Sequence, residues 1–248
     1  MNKLIVFMLF VMGFVACTTK PEPIDIFMIG DSTMANKIPE VYPETGWGQV
    51  LPLYFDTLTT IHNHAVNGRS SKSFIGEGRW QVVLDSLKAG DYLLIQFGHN
   101  DQKIKSPDRY TEPYGEYTDN LKKYINESRA KGAKPILLTS IVRRKFNEDG
   151  TLVDTHTDYP PAMRKVAEEM NVPLIDLQAM TANLVESLGD EASKQLYLWD
   201  PNTSERFPEG RKDDTHLCVE GAKKVAGLAV KGLSEKDEVL SAHIIKNH

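Results

Sequence analysis

The sequence predicts an α/β domain built on a doubly wound parallel sheet. Three observations carry this. Apolar runs such as those ending at Ile29 and Phe97 are continuous rather than alternating, as in strands buried on both faces. Several of these runs end in a polar turn that contains glycine, and stretches of helical spacing lie between them. The 248 residues, 41% hydrophobic and 25% charged, suit one globular α/β domain or two small ones. A formal net charge of -5 lacks the basic excess that a nucleic-acid partner demands, so none is expected.

The chain opens on a leader rather than on the fold. Met1-Asn2-Lys3 is a short basic start, Leu4 to Val15 is apolar, and Ala16-Cys17 follows. That is the layout of a secretory signal, too short to span a bilayer comfortably as a permanent helix. Cys17 after a small residue resembles a bacterial lipoprotein cleavage site. The expected division is a removed leader over 1–16, a lipid-bearing Cys17 opening a tether over 17–23, a folded domain over 24–233 and a polar tail over 234–248. Such a protein is exported and touches a membrane through its lipid alone. Cys218 is then the one cysteine of the domain, which can form no internal disulfide.

The first strand runs from Ile24 into the turn Gly30-Asp31-Ser32-Thr33. A helix is expected from Gly46 to about Phe55, and a second strand over Ile61–Val66 ends in Asn67-Gly68-Arg69. Glu77–Leu87 reads as a helix with Trp80, Val83, Leu84 and Leu87 on one face. Asp91–Phe97 is the clearest strand and runs into Gly98-His99-Asn100-Asp101. A helix over Glu116–Lys131, a strand over Pro135–Val142, a helix over Pro161–Met170 and a strand over Val172–Leu177 continue the alternation. Two long polar stretches, Arg143–Tyr159 and Gly189–Thr215, are candidate walls of a binding site. A last helix is expected from Glu220 to Leu233.

In open α/β sheets ligands bind beyond the carboxyl ends of the strands, where Ser32, Gly68 and Asn100 are all expected to stand. Gly-Asp-Ser alone is weak, because average residue usage yields it in roughly one such chain in fifteen. Asp31 or Ser32 could equally cap a helix. The set is more telling. Acyl transfer by a serine needs a base, a carboxylate to orient that base and donors for the developing oxyanion. His216 can serve as the base, with Asp213 three residues before it as the orienting carboxylate. Backbone N–H groups of Ser32 and Gly68 and the amide of Asn100 can receive the oxyanion, with Gly68 letting the backbone come close without a Cβ.

Ser32, Gly68, Asn100 and His216 fall in the order that names the SGNH or GDSL hydrolases. Gly30-Asp31-Ser32-Thr33, Thr45-Gly46-Trp47-Gly48, Asn67-Gly68-Arg69-Ser70, Gly98-His99-Asn100-Asp101 and Asp213-x-Thr215-His216 more narrowly resemble rhamnogalacturonan acetylesterases. The resemblance implies a flavodoxin-like three-layer α/β/α fold with a five-stranded parallel sheet. It also implies a serine esterase that deacetylates pectin backbone sugars without metal or cofactor; related esterases act on xylan and other acetylated glycans. Trp47, Trp80, Tyr197 and Trp199 are candidate stacking surfaces, and Arg69, Lys72, Arg79, Arg143 and Arg144 candidate partners for galacturonate carboxylates. Arg69 and Trp199 are favoured, since both lie in loops expected near the site.

Two other classes compete. Asp31, His99, Asp101, Asp213, Asp214 and His216 are the ligand types a metal-dependent phosphoesterase uses. That reading lacks an Asp-x-His pair at the first strand and leaves Ser32 and Gly68 idle. A glycan-binding lipoprotein without catalysis needs no Ser32, His216 and Asp213 together.

Overall fold

The computed structural model describes residues 22–203 and 207–245. The expected leader over 1–16 and Cys17, with all but the last two residues of the tether, lie outside the described residues. β1 (Ile24–Gly30), β2 (Thr59–Asn63), β3 (Tyr92–Gln96), β4 (Lys134–Leu138) and β5 (Leu174–Ile175) form one five-stranded sheet in the order β2-β1-β3-β4-β5, parallel throughout. The flavodoxin-like expectation is met. The order reverses between β1 and β3, the point where such sheets open a crevice at their carboxyl ends.

Alternate residues of each strand feed two separate cores, which explains the unalternating apolar runs. On β1, Ile26 and Met28 enter one core while Phe27 and Ile29 enter the other; on β3, Tyr92 and Leu94 are divided in the same way from Leu93 and Ile95. The covering helices are α1 (Trp47–Val50), α2 (Ser71–Gly76), α3 (Arg79–Ser86), α4 (Thr118–Ala130), α5 (Tyr159–Glu169), α6 (Leu177–Ser193), α7 (Val219–Lys236) and α8 (Glu238–His243). Helices α2 to α5 supply Phe74, Trp80, Leu121 and Met163 to one core. Helices α1 and α6 to α8 supply Trp47, Val185, Ala226 and Leu240 to the other.

Several segments differ from expectation. The helix expected from Gly46 to about Phe55 is α1 followed by a 3-10 turn over Leu51–Tyr54. The strands expected over Pro135–Val142 and Val172–Leu177 end at Leu138 and Ile175. β2 stops at Asn63, because the Ala65 N–H is taken by Asn63 Oδ1 (3.1 Å). The chain nevertheless stays beside β1, with His64 N–H on Met28 O (2.9 Å) and Val66 N–H on Gly30 O (3.0 Å). The expected Glu77–Leu87 helix is α3, but an unexpected helix, α2, precedes it and begins at Ser71 because Ser70 and Ser73 form a reciprocal capping box. The Gly189–Thr215 stretch is not a plain loop. It holds the end of α6 and an antiparallel ribbon of β6 (Tyr197–Asp200) and β7 (Arg211–Leu217). The C-terminal residues are not merely a polar tail: α7 runs to Lys236, α8 buries Leu240 and His243, and Ile244 bridges Phe55.

Helix α7 passes very close to the ribbon's base. A Cβ added to Gly221 would lie 1.8 Å from the Leu196 carbonyl oxygen, so the backbone itself would have to move. Gly221→Ala should therefore lower stability by about 2 kcal/mol or more, although the same change in an open helix would raise it. Urea unfolding checks this; an unchanged or raised midpoint at constant slope would show that α7 can retreat at no cost.

Candidate active site

Three adjacent strands, β2, β1 and β3, end at the site. β1 closes at Gly30 and the chain turns at once, with Asp31 O accepting from the N–H groups of Met34 (3.2 Å) and Ala35 (3.0 Å). Asp31 Oδ1 holds the Thr33 N–H and hydroxyl, each at 2.9 Å. Asp31 thus braces the turn that carries half-buried Ser32. Beneath it lies buried Gln96 at the end of β3. Its Oε1 accepts from Trp47 Nε1 (3.0 Å) and lies 3.3 Å from Thr33 Oγ1, and its Nε2 donates to Thr139 O (3.1 Å).

His216 arrives on β7 through an irregularity in the ribbon. Leu198 pairs with Asp213 and the next residue back, Tyr197, pairs with Leu217, so Asp214, Thr215 and His216 stand opposite no residue of β6. Such a bulge re-aims side chains. Asp213 Oδ1 stabilises it by accepting from the N–H groups of Thr215 (2.7 Å) and His216 (3.0 Å). Its other oxygen lies 2.6 Å from His216 Nδ1, and His216 Nε2 lies 2.9 Å from Ser32 Oγ. A carboxylate can only accept, so Nδ1 carries the proton and Nε2 of the neutral ring accepts from the Ser32 hydroxyl. Burial alone would raise the Asp213 pKa. The hydrogen bonds and charge of His216, with the Thr215 N–H, outweigh it and hold the group at about 2.

Gly68 follows the β2 run with φ of 77°. The nearest atoms to an added Cβ belong to Arg109, at 3.7 Å, so within the chain it is the left-handed backbone that favours glycine here. Asn100 Nδ2 donates to Arg69 O (3.0 Å), which ties the turn after β3 to the turn after β2, and Lys103 Nζ donates to Asn100 Oδ1 (2.8 Å). The N–H groups of Ser32 and Gly68 have no partner among the described residues. The arrangement offers a hydroxyl, a base poised on it, and unpaired donors beside it.

The favoured sugar contacts are differently placed. Arg69 Nε is held by Glu77 (3.0 Å) and its Nη1 by Asn67 O (2.8 Å). Trp199 gives its indole N–H to Asp214 (2.7 Å), and its ring is met by Arg144 and Lys194, with centroid distances of 4.8 and 4.4 Å. Both side chains thus have partners within the chain. Trp47, Trp80 and Tyr197 are buried. Among the described residues no three His, Cys, Asp or Glu side chains are placed to hold a metal ion. Asp31 and Asp214, proposed ligands of that reading, are instead bound to Thr33 and to Arg144 and Trp199.

Sequence reasoning passed over Lys103, Arg109 and His156. Lys103, three residues beyond Asn100 in the same turn, was the one with a local signal. His99 and His156 are buried with Nδ1 and Nε2 3.0 Å apart. Burial first, then the neighbouring His156 and Arg143, keeps His99 well below the ordinary histidine range, while burial and Arg143 push His156 down to about 3.

The GDSL-like lipase/acylhydrolase family matches residues 28–224 of this chain. A rhamnogalacturonan acetylesterase of Bacillus subtilis (strain 168) is 42% identical over 225 residues, covering 90% of this chain and 95% of that one. A rhamnogalacturonan acetylesterase of Emericella nidulans is 31% identical over 228 residues, covering 84% of each chain. Among solved structures, the Bacillus subtilis protein YxiM superposes with a TM-score of 0.73 at 30% identity; the match covers 87% of this chain and 57% of that one. An acetylxylan esterase from Geobacillus stearothermophilus shares the fold, with a TM-score of 0.62 at 18% identity over 86% of this chain and 95% of that one.

Asp101, next to Asn100, is fully buried. Its Oδ1 accepts from Ser71 N (3.0 Å), Ser71 Oγ (2.6 Å) and Thr111 Oγ1 (3.1 Å), while Oδ2 has no partner. Burial prevails over these donors, Asp31 adds repulsion, and the carboxyl is raised to about 7. The folded state therefore keeps a proton that the unfolded chain releases near pH 4, and stability falls as pH rises from about 4 toward 7. Asp101→Asn, which cannot ionise, should remove that part of the slope, on the order of a few kcal/mol. Chemical denaturation of both proteins across this range checks it; a stability difference that does not vary with pH would contradict the assignment.

Proposed function

The chain belongs to the GDSL-like lipase/acylhydrolase family, and on that premise we propose that it is a serine esterase removing O-acetyl groups from plant cell-wall polysaccharide, foremost acetylated rhamnogalacturonan. The observation that carries the reading is the unbroken chain from Asp213 through His216 to Ser32, with links of 2.6 and 2.9 Å. The choice of substrate is supported by the 42% identity to the Bacillus subtilis rhamnogalacturonan acetylesterase along nearly the whole of both chains.

Ser32 Oγ attacks the acetyl carbonyl as His216 Nε2 takes its proton. Asp213 fixes the ring with Nδ1 protonated and supports the imidazolium that forms. The carbonyl oxygen becomes an oxyanion, received by the N–H groups of Ser32 and Gly68 and by the second Nδ2 hydrogen of Asn100. His216 returns the proton to the departing sugar hydroxyl, leaving acetyl on Ser32. Water, deprotonated by the same imidazole, then releases acetate. Cys17 as a lipid-bearing residue would hold this domain at a membrane after export, beside its polymeric substrate.

Ser32→Ala should abolish acetate release from acetylated rhamnogalacturonan, and chelator treatment of the parent protein should leave it intact; a serine-independent or chelator-sensitive activity would overturn the mechanism. Acetylated xylan assayed in parallel tests the substrate, and a preference for it would move the assignment. Asn100→Ala should fold and turn over roughly a hundredfold more slowly; full activity would remove Asn100 from the oxyanion site. Because Asp213 is held at about 2, the acidic limb of kcat/KM should follow proton uptake by His216. A rate independent of pH on that side would exclude a histidine base.

A further inference from the structure

Asn100 is buried, and its planar amide is held at both ends. Nδ2 donates one hydrogen to Arg69 O (3.0 Å), and Oδ1 accepts from Lys103 Nζ (2.8 Å). The two side chains can meet because the Lys103 N–H donates to the Asn100 carbonyl (3.2 Å), which closes a turn between them. The mechanism above uses the second Nδ2 hydrogen and gives the Lys103 ammonium no task.

Lys103 Nζ takes a neutral amide rather than a carboxylate as its hydrogen-bond partner. Arg109, Arg143 and buried His99 lie within reach of its charge, and Asp31 is the carboxylate that draws it. Asp31 Oδ1 is itself engaged by Thr33. Burial first, then Arg109 and Arg143, push the ammonium below its ordinary range. A cation held beside two others on an uncharged acceptor is unfavourable where it stands.

What the contact can supply follows from its direction. A charge-assisted bond is roughly twice as strong as a neutral one. An ammonium on the amide oxygen draws electron density away from the amide nitrogen and leaves its N–H groups more positive, so that bonds along such a chain strengthen one another. Here the chain runs from Lys103 Nζ through the Asn100 amide toward the acetyl oxygen. That oxygen turns negative only once Ser32 attacks, so the gain falls on the transition state and not on the bound ester.

We infer that Lys103 is a positioning residue for the reaction, which holds the Asn100 amide and lends its positive charge through it to the developing oxyanion. The inference rests on the serine-esterase reading above and concerns how the oxyanion donor of that site is strengthened.

The test uses 4-nitrophenyl acetate, which carries no charge and no sugar, so contacts to a glycan do not enter. Lys103→Met should lower kcat roughly tenfold and leave KM within about twofold, because a charged hydrogen bond exceeds a neutral one by about that factor. Lys103→Arg, permanently charged, should restore most of the loss. In an Asn100→Ala background the same Lys103→Met change should alter kcat by less than about twofold, since the amide that carries its effect is gone. As pH rises to about 10 the lysine discharges, so the parent rate should approach that of Lys103→Met, while Lys103→Arg keeps its rate. Urea unfolding of each variant separates lost charge from a lost fold, and Lys103→Gln, polar and uncharged, should show the same deficit and stands in if Lys103→Met does not fold. Parent kcat in a folded Lys103→Met, a loss carried by KM, a loss that persists undiminished in Asn100→Ala, or a ratio to the parent that stays constant to about pH 10.5 overturns the inference. Slow turnover in Asn100→Ala with Lys103→Met unaffected removes this inference alone, whereas full activity in Asn100→Ala removes the oxyanion assignment with it.

Discussion

Everything at the site depends on β1 being hydrogen-bonded in parallel along both edges. Met28 pairs with Asn63 on one side, and Gly30 with Gln96 on the other. Because the three strands run the same way in register, their carboxyl ends open side by side, and three turns distant in sequence become neighbours. Val66 N–H on Gly30 O and Asn100 Nδ2 on Arg69 O then fasten those turns to each other. A slip of one residue in either pairing would exchange the two cores as well as separate the turns, so the same apolar alternation that buries the sheet also fixes the site.

The nucleophile turn is held from below and the base from behind. Gln96, buried between the cores, has no alternative partner in water and so locks Thr33, Trp47 and Thr139 together. His216 is less deeply held. It hangs from a bulge in a two-stranded ribbon, and what stiffens it is Asp213, one oxygen on the local backbone and the other on the ring. Asp214, next along, is gripped by Arg144 (2.7 Å), which anchors the ribbon to the domain, and by Trp199 (2.7 Å) within the ribbon itself. A site made in this way needs few mobile parts, in keeping with the view that preorganised donors and a fixed base supply much of the rate in acyl transfer.

The sequence by itself determined the sheet, its direction and the residues at its strand ends. Apolar runs and glycine turns are local signals, and the physics that produces them acts over a few residues. It also made Asp213 and His216 legible as a pair, since three residues is a short reach. The ribbon of β6 and β7 was not legible because its strands carry Trp199, Arg211 and Asp213, polar and aromatic together, with no clean period. The capping box of α2 was hidden because Ser73 takes the place of the usual acidic or amide residue.

Only the tertiary structure decided which charged and aromatic groups are free. Arg69 and Trp199 looked available in the sequence and are engaged by Glu77 and by Asp214; Lys103 and Arg109 drew no reading in the sequence and stand against Asn100 and the Gly68 turn. The reason is that an ion pair or a covered ring depends on partners many residues away, brought close by the fold. Residue type and spacing record what a side chain can do, whereas its neighbours in space settle whether it is already doing it.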